Sequence, residues 1–319
     1  MSAVFFGGWF VRGLSRQETG CKSSPLRLGG FQFIKPLLVC DTNPQKDYPE
    51  LKSLEKKIVD IIDEEKKANN ITAISVYFQD FKTDGRIDVN KDERFNSASI
   101  GKVAIMLALY RLAESNPNFF SEKIRYGGGI DTNSGQAIQP KDYAKGGQAY
   151  TVDELIEKMI KYSDNNSMYL LVSLITAPMI KSLYEDLQIS LPFDMEHPES
   201  FDFITTRDIS YFFRILYNSS YLTRDLSEKA LALLSKTDYK NGLVAGMPEG
   251  VVVAHKFGLK STEGGVNAME LQLHDCGIIY HPESPYLLCV MTKSSSDIPD
   301  IESTIKNISA AVYQYQDNH

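Results

Sequence analysis

From Glu50 to Lys67 the apolar residues Leu51, Leu54, Ile58, Ile61 and Ile62 recur at helical spacing among Lys, Glu and Asp, which predicts an amphipathic helix. Ile71 to Gln79 is rich in β-branched and aromatic residues and reads as a strand; Thr83-Asp84-Gly85 is a turn, and Arg86 to Val89 the return strand. Ser99 to Glu114 is apolar nearly all round, as a buried helix would be. Thr151 and Glu154 form a capping box ahead of a helix to about Tyr162. Further helices are predicted over Ser167–Ile175, from Arg207 to about Tyr217 with Thr206 as cap, and over Ser227–Ser235. Val251 to Thr292 turns to a strand pattern, and a last helix runs from about Pro299 to Tyr315.

Strands therefore come from both ends of the chain, with a block of helices between them. Alternating strand and helix would imply a parallel sheet. This order implies an α+β fold: one antiparallel sheet of N- and C-terminal strands flanked by helices, plus an all-helical lobe. Residues 1–47 stand apart as an irregular extension rich in Gly, Pro, Ser and Arg, and 48–319 form the folded domain. Ser2 to Val11 is a short apolar run with no Lys or Arg before it, broken by Gly7 and Gly8. It reads equally as the remnant of an export or anchor segment upstream of residue 12 or as a frayed terminus.

The chain has 319 residues, 43% hydrophobic and 24% charged, with a net charge of -7. That composition excludes a collagen, a coiled-coil rod and a disordered chain, and the charge gives no basic footprint for nucleic acid. No apolar run is long enough for a membrane-spanning helix. The histidines and the four cysteines show no metal-ligand spacing, and no glycine string carries the residues of a phosphate loop, so neither metal nor cofactor is expected. Cys21 and Cys40 bracket the extension, where a disulfide would tie it down in an oxidising compartment. Cys276 and Cys289 face each other if their strands pair around a turn at His281–Ser284; a bond and two buried thiols are both compatible with that placement.

Ser-x-x-Lys occurs at Ser53, Ser99 and Ser303, so the tetrad alone carries little information. Ser53 and Ser303 lie within charged amphipathic helices. Ser99 opens the most apolar helix, where free N–H groups favour developing negative charge, and Lys102 returns to the same face one turn later. A lysine among apolar neighbours loses its proton more readily, and the neutral amine can take the serine's proton. Two further strings, Ser163-Asp164-Asn165 between helices and Lys256-Phe257-Gly258 in a strand, are each commonplace alone, as a polar loop and an edge-strand lysine.

Together and in this order, SASIGKVAIMLALYRLAE, KYSDNNSMYLLV and VVVAHKFG resemble the three boxes of the penicillin-recognising serine enzymes, most closely the class A β-lactamase-like hydrolases. HDCGIIYHPESPYLLCVMT is similar to the last sheet hairpin of that family, and the likeness spans about residues 48 to 316. The resemblance implies that Ser99 is an acylated nucleophile activated by Lys102. It implies that Ser163 relays a proton to the leaving nitrogen, and that Asn165 holds the substrate amide and orients Lys102. Lys256 would attract the substrate carboxylate and hold Ser163. The N–H groups of Ser99 and of Leu259, the residue after Gly258, would form the oxyanion hole.

Two departures stand out. Phe257 replaces the hydroxyl residue of the Lys-Thr-Gly or Lys-Ser-Gly box, for which Ser261 or Thr262 is a candidate substitute. No Glu-x-x-Leu-Asn string, the family's source of a deacylating base, occurs between Ser167 and Thr206; Glu196 and Glu199 lie in that stretch without the pattern. The resemblance thus implies a serine hydrolase that opens a β-lactam or related amide. The alternatives are a D-alanyl-D-alanine peptidase or amidase acting on cell-wall peptides, or a cell-wall binding protein deficient in turnover. In each case the partner is a small molecule or cell-wall peptide, the protein is extracytoplasmic, and a monomer is expected.

Overall fold

A computed structural model describes residues 26–39, 48–129, 131–189, 203–263 and 269–319. Ser2–Val11, Cys21, Cys40, Glu196 and Glu199 lie outside the described residues. A two-stranded hairpin, β1 (Leu26–Arg27) and β2 (Leu37–Val39), precedes α1 (Lys52–Ala68), β3 (Ile71–Asp80) and β4 (Arg86–Val89). Then come a 3-10 turn at Ala98–Gly101, α2 (Lys102–Ala113), the small ribbon of β5 (Lys123–Arg125) and β6 (Ala149–Thr151), and helices α3 (Val152–Lys161), α4 (Asn165–Val172), α5 (Ala177–Asp186), α6 (Thr206–Tyr217) and α7 (Arg224–Leu234). The chain closes with β7 (Val253–Glu263), β8 (Met269–Ile279), β9 (Tyr286–Ser294) and α8 (Ile298–Asp317).

The main sheet is antiparallel, in the order β4-β3-β9-β8-β7, so the N-terminal β3 is an inner strand paired with the central, C-terminal β9, with Val76 opposite Val290. The α+β architecture read from the sequence is thus the one observed. The alternation of β3 shows why the sheet is covered twice. Ile74, Val76 and Phe78 pack with Leu54, Ile58, Ile62, Ile301, Ile305 and Ile308 of α1 and α8. Ala73 and Tyr77 face the helical lobe with Val103, Leu107, Ile156 and Phe212. At the centre of that lobe is α2, in which even Lys102 and Tyr110 are buried. Phe212 and Phe213 are fully buried in it as well.

Several element boundaries differ from those predicted. The capping box of α6 is Thr205 with Asp208, not Thr206; with two threonines in a row, Thr206 instead turns inward to Ser75 Oγ, 2.8 Å away. α7 begins at Arg224, three residues before Ser227. α5 has no counterpart in the sequence reading: only Leu183 and Tyr184 are fully buried, so its apolar stripe is too narrow to register, and Pro178 sits in its first turn where a missing N–H costs nothing. The capping box of α3 is present as read. Cys276 faces Cys289 across β8 and β9, and the two are joined as a disulfide.

The segment around the β1–β2 hairpin is bound to the body of the protein. The Glu228 carboxylate on α7 accepts from the backbone N–H groups of Gln32, Phe33 and Ile34 at 2.8–3.1 Å. Arg27 donates to Phe81 O, Lys35 O and Asn218 Oδ1.

Candidate active site

The approach to Ser99 is pinned to the sheet before the serine is reached. Asn96 N donates to Gln272 Oε1 (2.9 Å), His274 Nε2 lies 2.9 Å from Asn96 O, and Asn96 Oδ1 accepts from Ala98 N (2.8 Å). Ala98 is held at φ 45°, a left-handed conformation costly for a residue with a Cβ. Ser99 follows in the 3-10 turn, and the α-helix proper starts only at Lys102. The serine is therefore on a tight turn leading into the helix rather than in its first α-turn.

Lys102 is 2% exposed. Its ammonium donates to Ser163 O (2.6 Å), Asn165 Oδ1 (2.7 Å) and Ser163 Oγ (3.3 Å). Those are as many acceptors as an ammonium has protons, and Ser99 Oγ is not among them. Ser163 is itself left-handed, at φ 61°. It is followed by Asp164, the buried N-cap of α4. Asp164 Oδ1 accepts from Asn133 Nδ2 (2.7 Å) and Asn166 N (3.0 Å), while Oδ2 accepts from Ala144 N and Ser167 N. Asn133 Oδ1 in turn accepts from Asn165 N (2.8 Å). The Ser-Asp-Asn loop is thus clamped from both sides, with Asp164 as the clamp.

Lys256 completes the cluster from β7. It is fully buried, and its Nζ donates to Ser163 Oγ and to Phe257 O, both at 3.0 Å. Burial pushes the Lys102 ammonium down to about 7, partly offset by the Asp164 charge. Burial also drives Lys256 well below its ordinary value, Lys102 lowers it further, and Asp275 opposes the shift. Asp275 is held by His255 Nδ1 (2.8 Å) and Leu243 N (2.9 Å). Two amines that lose their protons readily thus share one serine hydroxyl, an arrangement suited to passing a proton.

β7 is the edge strand, and its register sets the rest of the site. Val252 O accepts from Tyr280 N (3.0 Å), which places the even-numbered residues of β7 in the pairs bonded to β8 and turns the odd-numbered N–H and C=O groups to the open edge. Two contacts follow that pattern: Thr237 Oγ1 donates to His255 O (2.7 Å), and Lys256 Nζ donates to Phe257 O. The N–H of Leu259 belongs to the same set. Gly258 packs against the serine turn so closely that a Cβ there would lie 2.8 Å from Ser99 N and 2.9 Å from Ile100 N. The edge N–H of Leu259 is therefore one residue from the point where the strand meets the Ser99 backbone.

Phe257, in the hydroxyl position of the box, is 5% exposed. Its ring stacks on Tyr239 at 4.1 Å and lies 4.3 Å from Lys256 Nζ. Ser261 is exposed on the strand face shared by Phe257 and Leu259, and the Thr262 side chain lies outside the described residues. Ser53 and Ser303 sit in α1 and α8, on the other side of the sheet from the cluster. Among the described residues, no group of three or more His, Cys, Asp or Glu could hold a metal.

Lys102, Ser163, Asn165 and Lys256 thus form one hydrogen-bonded cluster, and Gly258 meets the Ser99 backbone, with Leu259 the next residue along the strand edge. Asp164, Asn133 and the Gln272–His274 pair shape the site without belonging to the residues expected from the three boxes. Asp164 carried a signal in Asp-x-x-Ser ahead of an apolar run; Asn133 carried none, because its partners are remote in sequence.

The model of the beta-lactamase enzyme family matches residues 53–316. A search of curated proteins found no match. Among solved structures, the chain resembles a mutant of PBP-A in an acyl-enzyme complex with penicillin G, at 20% identity and a TM-score of 0.70 over 86% of this chain and 100% of that one. It also resembles the TLA-3 extended-spectrum beta-lactamase, at 19% identity and 0.68 over 83% and 98%. The beta-lactamase from Sphaerobacter thermophilus is similar at 19% identity and 0.68, over 81% and 96%. With three boxes on the elements that converge at Ser163 and a family match running from α1 into α8, the chain belongs to the beta-lactamase enzyme family.

Proposed function

We propose that the protein is a serine hydrolase that opens a β-lactam or related amide through an acyl-serine. The observation that carries this reading is the convergence of the Lys102 and Lys256 amines on Ser163 Oγ, beside a serine turn pressed against a strand edge. In this mechanism Ser99 Oγ attacks the amide carbonyl carbon. Its proton passes to neutral Lys102 and through Ser163 to the leaving nitrogen, the C–N bond breaks, and an ester to Ser99 remains. Asn165 holds the substrate amide. The N–H groups of Ser99 and Leu259 receive the oxyanion, a contribution typically of several kcal/mol. Lys256 fixes Ser163. Hydrolysis of the ester then needs a positioned water and a base.

A second reading, a cell-wall peptidase or a protein that binds without efficient turnover, is favoured by the absence of a Glu-x-x-Leu-Asn string between Ser167 and Thr206. A fluorescent penicillin separates the readings. Rapid labelling and release supports the hydrolase, a burst of one equivalent followed by slow turnover supports the peptidase-like reading, and no label at Ser99 overturns both enzymatic readings. We place the protein outside the cytoplasm, where β-lactams and cell-wall peptides are met; fractionation of the native host tests this.

A further inference from the structure

Gly258 meets the backbone of Ser99, and Lys256 and Lys260 flank it on the same face of β7. The face is fixed by packing: Ala254 joins the helical-lobe core, whereas Val253 and Leu259 join the core under α8, with no register break along β7. At a strand's rise of about 3.4 Å per residue, each lysine's Cα lies about 7 Å from that of Gly258, in opposite directions. The two cations differ in state. Lys256 is fully buried and committed to Ser163 Oγ, Phe257 O and the Phe257 ring. Lys260 is exposed and has no ion pair among the described residues. Glu270 shares this face diagonally on β8, where it accepts from Gln272 Nε2 (3.0 Å).

We propose that Lys260 is a specificity-determining residue that reads a negative charge on the acyl half of the substrate. The inference rests on the mechanism above, which sets the polarity of the cleft. The leaving nitrogen must lie at Ser163, on the Lys256 side of Ser99, so the acyl group extends the other way along the β7 edge, toward Lys260. A carboxylate carried by that group meets a free cation on a flexible stem, whereas the buried Lys256 is not available to it. The favoured substrates are amides whose acyl side chain is acidic.

The test compares benzylpenicillin with its α-carboxy analogue carbenicillin, which differs by one carboxylate on the acyl side chain. Time-resolved intact mass spectrometry gives the rate of Ser99 acylation by each. The ratio of the two rates is expected to favour carbenicillin in the wild type, and to fall about fivefold in Lys260→Gln, as suits an exposed pair near another charge. It should recover in Lys260→Arg and reverse in Lys260→Glu. In the wild type the ratio should also fall as salt is raised from about 0.05 M to about 0.5 M, because exposed charges are screened. A ratio that is insensitive to salt and to the Gln and Glu substitutions, with Ser99 still acylated, overturns this inference alone. No acylation of wild-type Ser99 by either compound overturns the parent reading and this one together.

Discussion

The amine of Lys102 sits at about 7 because its ammonium is buried, and this sets how the site answers to pH. Only the neutral form, present above that value, can accept the Ser99 proton. The acylation rate should therefore rise as pH passes through about 7 and level off above it, and stopped-flow acylation across pH 5–9 checks this. A rate that falls with rising pH over that range would remove Lys102 as the base. Lys102→Arg keeps the charge but holds its proton, and should lower acylation by about 100-fold or more. Ser99→Ala should abolish the adduct in intact mass spectra; an adduct that persists on Ser53 or Ser303 would contradict the choice among the three Ser-x-x-Lys serines. The spacing of Ser99 and Lys102 was legible because it is local, one helical turn of a strongly apolar segment. The roles of Asp164 and Asn133 were not, because the Asn133–Asp164 bond joins a loop to a helix cap across 31 positions.

Strands and helices position those side chains through close approaches, and two of these can be tested. At Gly258 an added Cβ would meet backbone nitrogens that cannot swing away. Gly258→Ala should cost about 1–3 kcal/mol of stability, as small-to-large changes at packed sites do. It should slow acylation at least tenfold by displacing the serine turn. A variant that acylates at the wild-type rate would show that the contact is slack. On α7, Glu228 serves three backbone N–H groups of the β1–β2 segment. Glu228→Gln weakens charge-assisted bonds and should lower stability by about 1–2 kcal/mol in urea unfolding, with the acylation rate near that of the wild type. Loss of acylation in this variant would instead mean that the segment supports the site.

In the whole molecule, the sheet draws residues from both ends of the chain, and the Cys276–Cys289 disulfide lies within it, one strand in from Lys256, which is paired with Cys276. Both cysteines are fully buried in the helical-lobe core. Alkylation under denaturing, non-reducing conditions should leave this pair unmodified, and reduction should lower stability by about 2–3 kcal/mol, the loop-entropy value for a short closed loop. Alkylation of both cysteines without reductant would show free thiols.

The amino-acid pattern by itself determined the α+β class, the placing of strands at both ends, most helices, and the three boxes with their order. Hydrophobic periodicity and local spacing are properties of neighbours in the chain, so a sequence displays them directly. It missed α5 and misplaced the starts of α6, where two adjacent threonines are both candidate caps, and of α7, whose N-cap Thr223 makes no side-chain cap bond. Tertiary structure alone decided that Ala98 and Ser163 take left-handed backbone conformations. It decided that Lys102 and Lys256 converge on one hydroxyl, that Phe257 stacks on Tyr239, and that Lys260 is exposed. Each of these depends on burial or on contact between segments far apart in the chain, and a charge's desolvation and a backbone's strain exist only once those segments have closed on one another.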